Sequence, residues 1–381
     1  MTHSILCVVA DLKAGTMPAT HSRRALSRAA CRRFRLAMTT SAADPRLAAL
    51  AQWVAHALRT TAFTLAPASA DASFRRYFRA TLASPHALAP ETGTLIVMDA
   101  PPPQEDCRPF VQVAALLHAA DVHAPAILAH DLERGFLLLS DLGNTTYLAA
   151  LGADNARALY LDAIDALLRF QRTSRSDALP HYDEALLRRE LELFPEWYVG
   201  RHCGHVLSTA QRKVLDDVFA RVIANNLAQP QVFVHRDFHS RNLMVSAPNP
   251  GVLDFQDAVY GPITYDLVSL LRDAYIGWDE ERQIDLTVRY WERARKAGMP
   301  VHADFGAFWH DFEWMGVQRQ LKVLGIFARL CHRDGKDGYL KDMPLVMGYL
   351  RGACTRYRQL EPLLVLLDEI DARPRVVGYT F

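Results

Sequence analysis

The pattern of apolar and polar positions changes partway along the chain. Between residues 62 and 140, "SFRRYFRATL", "TLIVMDA", "PAILAHD" and "GFLLLSDLG" are short apolar runs with polar positions between them. Such runs, bounded by turn residues, are typical of β-strands. One stretch, "RPFVQVAALLHAA", has helical spacing instead. The order strand, strand, strand, helix, strand, strand predicts a small α+β lobe, with a turn at Glu133–Gly135.

Beyond "SDLGNTTYL", which we interpret as a hinge, apolar positions recur every three to four residues. This pattern predicts helices over 154–171, 183–200, 208–227, 263–275, 279–297, 302–331 and about 338–368. Only residues 231–256 contain the short apolar runs of strands, and we expect one hairpin there. The predicted fold class is α+β with two lobes. A small antiparallel-sheet N-lobe covers residues 41–142, and a larger, mostly helical C-lobe covers residues 143–381.

The first 40 residues differ from the rest in charge. They hold seven Lys and Arg against one acidic residue, a net charge of +6, while the whole chain has +1. A helix signal follows, because "DPRLAALAQWVAHAL" places Asp44 as N-cap and Pro45 at the first helical position. We expect residues 1–40 to be a basic extension that is disordered or precedes a true start at Met38. A targeting peptide or a basic tail is the alternative.

Composition excludes several classes of protein. The part after residue 40 is mildly acidic, which argues against a nucleic-acid binder. No apolar run approaches the roughly 20 residues that a membrane span needs. The six cysteines are scattered without a C-x-x-C pair, as expected for free thiols in a reducing cytosol. We therefore expect a cytoplasmic monomer with no nucleic-acid or membrane partner.

Candidate chemistry concentrates in "FVHRDFHSRNLMV", where polar residues lie between two apolar runs. His235 and Asp237 are followed by Asn242, and Asp254 ends the later run "VLDF". The spacing H-x-D-x-x-x-x-N followed by D-F is that of a kinase catalytic loop and its metal-binding aspartate. Asp237 would orient a substrate hydroxyl and accept its proton. Asn242 and Asp254 offer the hard oxygen ligands that Mg²⁺ prefers.

Two further residues are predicted to support this loop. His235 is expected to hold it by hydrogen bonding rather than to react. Asp266, in "YDLVSLL", opens a predicted helix and either caps that helix or reaches back to the loop. Each loop residue taken singly is better explained by a polar hairpin with a structural histidine. The ordered set is what predicts phosphotransfer.

"HRDFHSRN" with "VLDFQDAVYGPITYDLVSLLRD" resembles the aminoglycoside phosphotransferase family, a branch of the protein-kinase-like fold, over most of the chain after about residue 41. "TLIVMDAPP", "GFLLLSDLG" and "QRQLKVLGIFARL" are similar to the bacterial cell-wall-recycling sugar kinases. Those enzymes phosphorylate the anomeric hydroxyl of N-acetylmuramate and N-acetylglucosamine. The resemblance implies a protein-kinase-like two-lobed fold, ATP and Mg²⁺ as cofactors, and an amino-sugar substrate.

The resemblance also implies roles for single residues. Asp237 matches the catalytic aspartate, and Asn242 and Asp254 match the magnesium ligands. Ser140 and Asp141, in "LLSDLG", match the segment where adenine bonds to backbone groups.

The phosphate-covering loop departs from the family pattern. It is expected at "SFRRYF", beginning at Ser73, but has no glycine, and "TLIVMDA" has no lysine. Nucleotide phosphates still need a cation nearby. Arg75 and Arg76, with Arg79 as a third, are the local candidates. Exposed arginines on an edge hairpin are the alternative interpretation.

The sugar site is expected in the helical lobe, facing Asp237. The lactyl carboxylate of N-acetylmuramate calls for a cation, and Arg241, Arg319 and Lys322 are the candidates. Arg319 and Lys322 share one helix face, because they are three residues apart. Asp257 is a candidate acceptor for sugar hydroxyl groups.

Other interpretations remain open at this point. Trp278 and Trp314 could stack on a sugar ring, but core packing is the favoured interpretation for both. The acceptor could be an aminoglycoside, choline or another amino alcohol, but these call for carboxylates, and the late helix is basic. The absent lysine leaves room for a pseudokinase that acts as a binding module. The intact loop residues argue against it.

Overall fold

We describe the protein from a computed structural model that covers residues 44–70, 74–89 and 92–371. The predicted extension, residues 1–40, and Ser73 lie outside the described residues. Two compact units are present. The sheet unit comprises the described residues up to 106 together with 127–141, and the helical unit comprises 107–126 together with those from 142 onward. The predicted lobe limits stay predictions, and residues 107–126 group with the helical unit here.

The sheet unit contains one antiparallel sheet of five strands in the order β1-β2-β3-β5-β4. Its elements are α1 (Pro45–Leu58), β1 (Phe63–Ala70), β2 (Arg76–Leu82), β3 (Thr94–Asp99), β4 (Ile127–Asp131) and β5 (Phe136–Ser140). These elements agree with the strand pattern predicted from the sequence.

Helix α1 begins as its sequence predicts. The Asp44 carboxylate accepts hydrogen bonds from the backbone N–H groups of Arg46 and Leu47 at 3.0 and 3.1 Å, and Pro45 occupies the first turn. The apolar face of α1 joins the core of the sheet unit with alternate residues of the strands. The buried residues of this core include Leu50, Trp53, Val54, Leu58, Phe78, Ala80, Leu95, Val97, Phe136 and Leu138.

The turn predicted at Glu133–Gly135 joins β4 to β5 and depends on its glycine. Gly135 has φ +71°, and a Cβ there would lie 1.8 Å from the carbonyl oxygen of Ala100. The two backbones approach closely because the Ala100 N–H donates to the Gly135 carbonyl at 2.8 Å. A larger residue would break this contact.

The helical unit is built mostly from α-helices. They are α2 (Arg108–Ala119), α3 (Tyr147–Ala150), α4 (Ala156–Arg172), α5 (Glu184–Leu191), α6 (Thr209–Ala228), α7 (Tyr265–Leu271), α8 (Glu280–Lys296), α9 (Phe305–Asp334), α10 (Met343–Arg356) and α11 (Glu361–Ile370). The long helix α9 is buried along most of its length. None of the described helices is long and apolar enough to cross a membrane.

Two of the predicted helices are interrupted. The predicted 183–200 helix is α5 followed by a π-helical segment, Phe194–His202, because Pro195 lacks the N–H that an α-helix needs there. The predicted 338–368 helix is α10 and α11, with a 3₁₀ turn at Arg358–Leu360 between them and another, Asp337–Asp342, before α10. Pro362 lies in the first turn of α11, the position where proline is tolerated.

The prediction that residues 231–256 form one hairpin is wrong, because the strands pair differently. The strands are β6 (Gln231–Val234), β7 (Leu243–Met244), β8 (Gly251–Val252) and β9 (Val259–Pro262). β6 pairs with β9 and β7 pairs with β8, both antiparallel. The segment "HRDFHSRN" therefore connects two small sheets instead of turning back within one.

Candidate active site

The loop between β6 and β7 has an unusual backbone. Arg236 has φ +76° and Asp254, just after β8, has φ +61°. Non-glycine residues seldom adopt this left-handed region, and where they do the surrounding structure must hold them. Strained backbone of this kind is typical of functional sites.

Two buried aspartates anchor the loop at its two halves. Asp266 accepts hydrogen bonds from the backbone N–H groups of His235 and Arg236 at 2.6 and 2.9 Å. Asp273 accepts from the backbone N–H of Ser240 at 2.9 Å. Asp266 lies in the first turn of α7, but its carboxylate reaches the loop. The geometry therefore favours the loop-holding alternative over the helix cap.

The His235 ring contacts both the loop that carries Asp237 and the segment that leads to Asp254. Its Nε2 lies 3.0 Å from the Leu253 carbonyl oxygen, and its Nδ1 lies 3.2 Å from the backbone N–H nitrogen of Asp237. A neutral ring satisfies both contacts, with Nε2 donating and Nδ1 accepting. Burial lowers the pKa of His235 to about 4, which keeps the ring neutral. This geometry suits a structural role.

The amide group of Asn242 is bonded through its nitrogen and not through its oxygen in the described part of the chain. Its amide nitrogen donates to the Asp237 carbonyl at 3.0 Å and to Asp254 Oδ2 at 3.3 Å. Its buried amide oxygen has no hydrogen-bond partner among the described residues. An unsatisfied buried oxygen beside a carboxylate fits Mg²⁺, which takes one or two protein ligands and completes its shell with phosphates and water. The described residues contain no group of three or more His, Cys, Asp or Glu side chains that could hold a metal by themselves.

Asp237 lies at the wall of a pocket within the helical unit. The pocket has an empty volume of about 340 Å³, part of it open to solvent. Its lining residues are Arg236, Asp237, His239, Tyr265, Ala274, Tyr275, Arg319, Lys322, Val323, Ile326 and Phe327. Burial raises the pKa of Asp237 to about 7, and the positive charge of Lys322 opposes this rise. The pocket thus offers one carboxylate, several cations and an apolar wall.

Glu190, at the end of α5, organises the cations of this pocket. Its carboxylate is fully buried and accepts from Arg236, from Tyr182 and from Lys322, the last at 3.0 Å. Lys322 also donates to the Tyr265 hydroxyl at 2.9 Å. Burial opposes the charge on Lys322, but Glu190, Tyr265 and Asp237 together outweigh it and raise the pKa of the ammonium above its ordinary value. Lys322 therefore stays charged next to Asp237.

The other acceptor-site candidates lie in different surroundings. Arg241 stacks on Tyr275, with its guanidinium carbon 3.6 Å from the ring centre. Asp257 accepts a bond from Arg236 through its backbone carbonyl at 3.3 Å, and its buried Oδ2 has no partner in the described part of the chain. Neither residue lines the pocket. Of the four candidates, Arg319 and Lys322 are the two that the fold brings to the same pocket as Asp237.

The two tryptophans are packed against protein groups. Trp278 donates from Nε1 to the Tyr160 hydroxyl at 2.7 Å. Trp314 is buried and stacks on His310 with ring centres 5.2 Å apart. Neither lines the pocket, so packing is the role their positions support.

The arginines predicted to bind nucleotide are ion-paired inside the sheet unit. Arg75 pairs with Glu105 at 3.0 Å, and Arg76 pairs with Asp44 and Asp99. The third candidate, Arg79, pairs with Asp141 at 2.6 Å. Ser140 ends β5, and Asp141 follows it and also accepts from the Thr94 hydroxyl at 2.8 Å. The Asp141 side chain thus braces the sheet, which leaves backbone groups for the predicted adenine contact.

Sequence comparison decides the family. The model of the phosphotransferase enzyme family APH matches residues 64–305, more than half of the chain. The chain belongs to this family. This phosphotransferase is 54% identical over 312 residues to an N-acetylmuramate/N-acetylglucosamine kinase of Pseudomonas putida, covering 82% of this chain and 90% of that protein. It is 47% identical over 337 residues to a protein of the same name from Neisseria meningitidis serogroup B, covering 87% and 98%.

Structure comparison agrees with the family. The streptomycin–ATP–APH(2″)-IIa ternary complex matches this phosphotransferase with a TM-score of 0.51 and 14% identity, over 78% of this chain and 95% of the other. At this identity the match shows the fold alone. The predicted α+β, protein-kinase-like fold class is confirmed.

Several residues of the site were not predicted from the sequence. Glu190, Tyr182 and Tyr265 enter the site only through packing, since Glu190 and Lys322 lie more than 130 positions apart. Asp273 was not predicted either. It lies two residues beyond the end of α7, where helical spacing no longer relates it to Asp266.

Proposed function

We propose that this phosphotransferase moves the γ-phosphate of ATP to the anomeric hydroxyl of an amino sugar, N-acetylmuramate or N-acetylglucosamine. The names of its relatives and its membership of a phosphotransferase family support the proposal. The observation that carries it is the charge of the pocket. Arg319 and Lys322 are both buried beside Asp237, Glu190 compensates Lys322 alone of these two, and no second carboxylate is among the lining residues. Cationic acceptors such as aminoglycosides or choline would meet like charge there.

Asp237 would act on the acceptor hydroxyl. The carboxylate accepts a hydrogen bond from this hydroxyl, points its oxygen at the γ-phosphorus, and takes the proton as the new oxygen–phosphorus bond forms and the bond to ADP breaks. Positioning and charge stabilisation supply most of the acceleration in such transfers. The anchors Asp266 and Asp273 hold the loop so that Asp237 keeps its direction.

Asn242 and Asp254 are the residues that would hold Mg²⁺. When bound, Mg²⁺ would offset charge on the nucleotide phosphates. Arg75, Arg76, Ser140 and Asp141 remain our proposed nucleotide contacts, together with Ser73. We also propose that the protein works as a monomer in the cytoplasm, where ATP is available and its thiols, free at the described positions, stay reduced.

The test is product identification. Purified protein is incubated with ATP and Mg²⁺ against N-acetylmuramate, N-acetylglucosamine, kanamycin and choline, and ADP release and phosphorus NMR are followed, with Asp237→Asn as the blank. A sugar 1-phosphate formed only by the wild type is expected. Turnover with kanamycin or choline alone would overturn the acceptor assignment, and nucleotide binding without any turnover would favour a pseudokinase.

A further inference from the structure

One buried arginine in the described structure differs from the others in its pairing. Arg75, Arg236 and Arg272 are each at least nine-tenths buried, and each has a carboxylate partner, respectively Glu105, Glu190 and Glu313. Arg319 is equally buried, with 4% of its surface exposed, and makes no ion pair within the described residues. Its positive charge opposes the burial-driven rise in the pKa of Asp237, Asp266 and Asp273. Carboxylates are therefore near enough to act on this guanidinium, but none of them in the described residues forms a direct ion pair with it. Buried charged side chains are usually paired directly, so the open donors of Arg319 call for an explanation.

The side chain of Arg319 is held at one nitrogen and open at the others. Nε donates to the Ser269 hydroxyl at 2.7 Å, and this is its only hydrogen bond to the described residues. The side chain lines the pocket that contains Asp237. The two terminal nitrogens are therefore preorganised for a ligand, because the bond at Nε fixes the plane of the fork.

Lys322, three residues further along α9, is in the opposite situation. Its ammonium already contacts the Glu190 carboxylate and the Tyr265 hydroxyl, so its charge is compensated inside the protein. Arg241 is a stacked arginine outside the pocket lining. Of the two predicted cations that line the pocket, Arg319 is the one whose hydrogen-bonding capacity is left for a ligand.

We propose that Arg319 recognises an acidic substituent on the acceptor and binds its carboxylate through both terminal nitrogens. A planar fork matches a carboxylate in this way, and such charge-assisted pairs are strong and directional. This inference rests on the proposed function and adds a specificity rule to it. Arg319 favours N-acetylmuramate, which has a lactyl carboxylate, over N-acetylglucosamine, which has none. Ser269 is a positioning residue that acts through Arg319.

The test compares the two sugars in the same variants. Arg319→Met should raise KM for N-acetylmuramate about 10- to 100-fold, the effect of losing a charge-assisted bond. KM for N-acetylglucosamine and kcat for both sugars should change less than about threefold. Arg319→Lys should lie in between, because it keeps the charge and loses the fork. Ser269→Ala should shift the ratio of KM values in the same direction by less.

Controls separate this inference from the proposed function. Arg333→Met, an exposed arginine in the last turn of α9, should leave both KM values unchanged. A wild type that phosphorylates neither sugar refutes the proposed function itself. If Arg319→Met lowers kcat equally for both sugars, Arg319 serves the transferred phosphate and the inference is overturned. It is also overturned if Arg241→Met, and not Arg319→Met, changes the ratio of KM values.

Discussion

Glu190→Gln is the perturbation that most directly tests the charge arrangement of the pocket. The Glu190 carboxylate is fully buried and compensates both Arg236 and Lys322. Glutamine keeps the size of the side chain but removes its charge, so two buried cations lose their shared anion. Removing one partner of a buried ion pair costs about 3–5 kcal/mol. We expect a loss in this range, a large share of a typical free energy of unfolding of about 5–15 kcal/mol.

The assay is urea unfolding at pH 7, followed by far-UV circular dichroism. The matched control is Glu192→Gln on the same turn of the chain, since Glu192 pairs with Arg188 and Arg212 but is one-third exposed. Exposed pairs contribute about 1 kcal/mol or less, so this control should stay close to the wild type. Equal losses in the two variants would refute the reasoning, because burial would then not matter.

A double variant decides whether the cost is electrostatic. In Glu190→Gln, Lys322 is a buried cation without its anion. Replacing it with methionine removes that unpaired charge, so Glu190→Gln/Lys322→Met should be more stable than Glu190→Gln alone. If the two losses instead add, Glu190 contributes through packing and hydrogen bonds, and the charge argument fails.

Three further predictions concern the metal site, the packing of α9 and acid stability. Asn242→Ala should raise the Mg²⁺ concentration needed for half-maximal turnover at least tenfold, because it removes the unsatisfied amide oxygen. A magnesium titration at saturating ATP measures this concentration. An unchanged magnesium requirement would contradict the ligand role of Asn242. Gly325→Ala should lower the free energy of unfolding in urea by about 1–3 kcal/mol, because a Cβ there would lie 2.5 Å from the Leu193 carbonyl carbon. The control is Gly338→Ala, because Gly338 has open space around it. Burial opposes ionisation of Glu192, but Arg212 and Arg188 outweigh it and hold its pKa below the ordinary 4.5. A depressed folded-state pKa gives stability that is present above pH 4.5 and is lost as the pH falls further. Melting temperatures of the wild type and Glu192→Gln should therefore converge between pH 5 and about pH 3, and a gap that widens on acidification would refute this sign.

The local elements were largely predictable from the sequence. The Asp44–Pro45 helix start, the strands from 62 to 140 and the 154–171 and 279–297 helices follow from caps and from periods of two or 3.6, which act within a few residues. The order of His235, Asp237, Asn242 and Asp254 was also readable, because a catalytic loop and its metal-binding aspartate lie within 20 positions of each other.

Pairing between segments was less predictable. Residues 231–256 were predicted to be a hairpin, but β6 pairs with β9 and β7 with β8. Short apolar runs show that strands form, while the choice of partner depends on contacts with the rest of the unit. The interruption of the predicted 183–200 helix at Pro195 had a signal in the sequence, and the π-helical continuation did not.

The sequence by itself determined which residues can do the chemistry, because the loop motif is local and its residue types have few other uses together. The tertiary structure alone decided which charges are compensated. Lys322 and Arg319 look alike on one face of α9, yet of the two only Lys322 forms a direct ion pair within the described residues, because α5 places Glu190 beside it. Compensation depends on how helices far apart in the chain pack, and a single Cβ at Gly325 would alter that packing where α9 approaches Leu193.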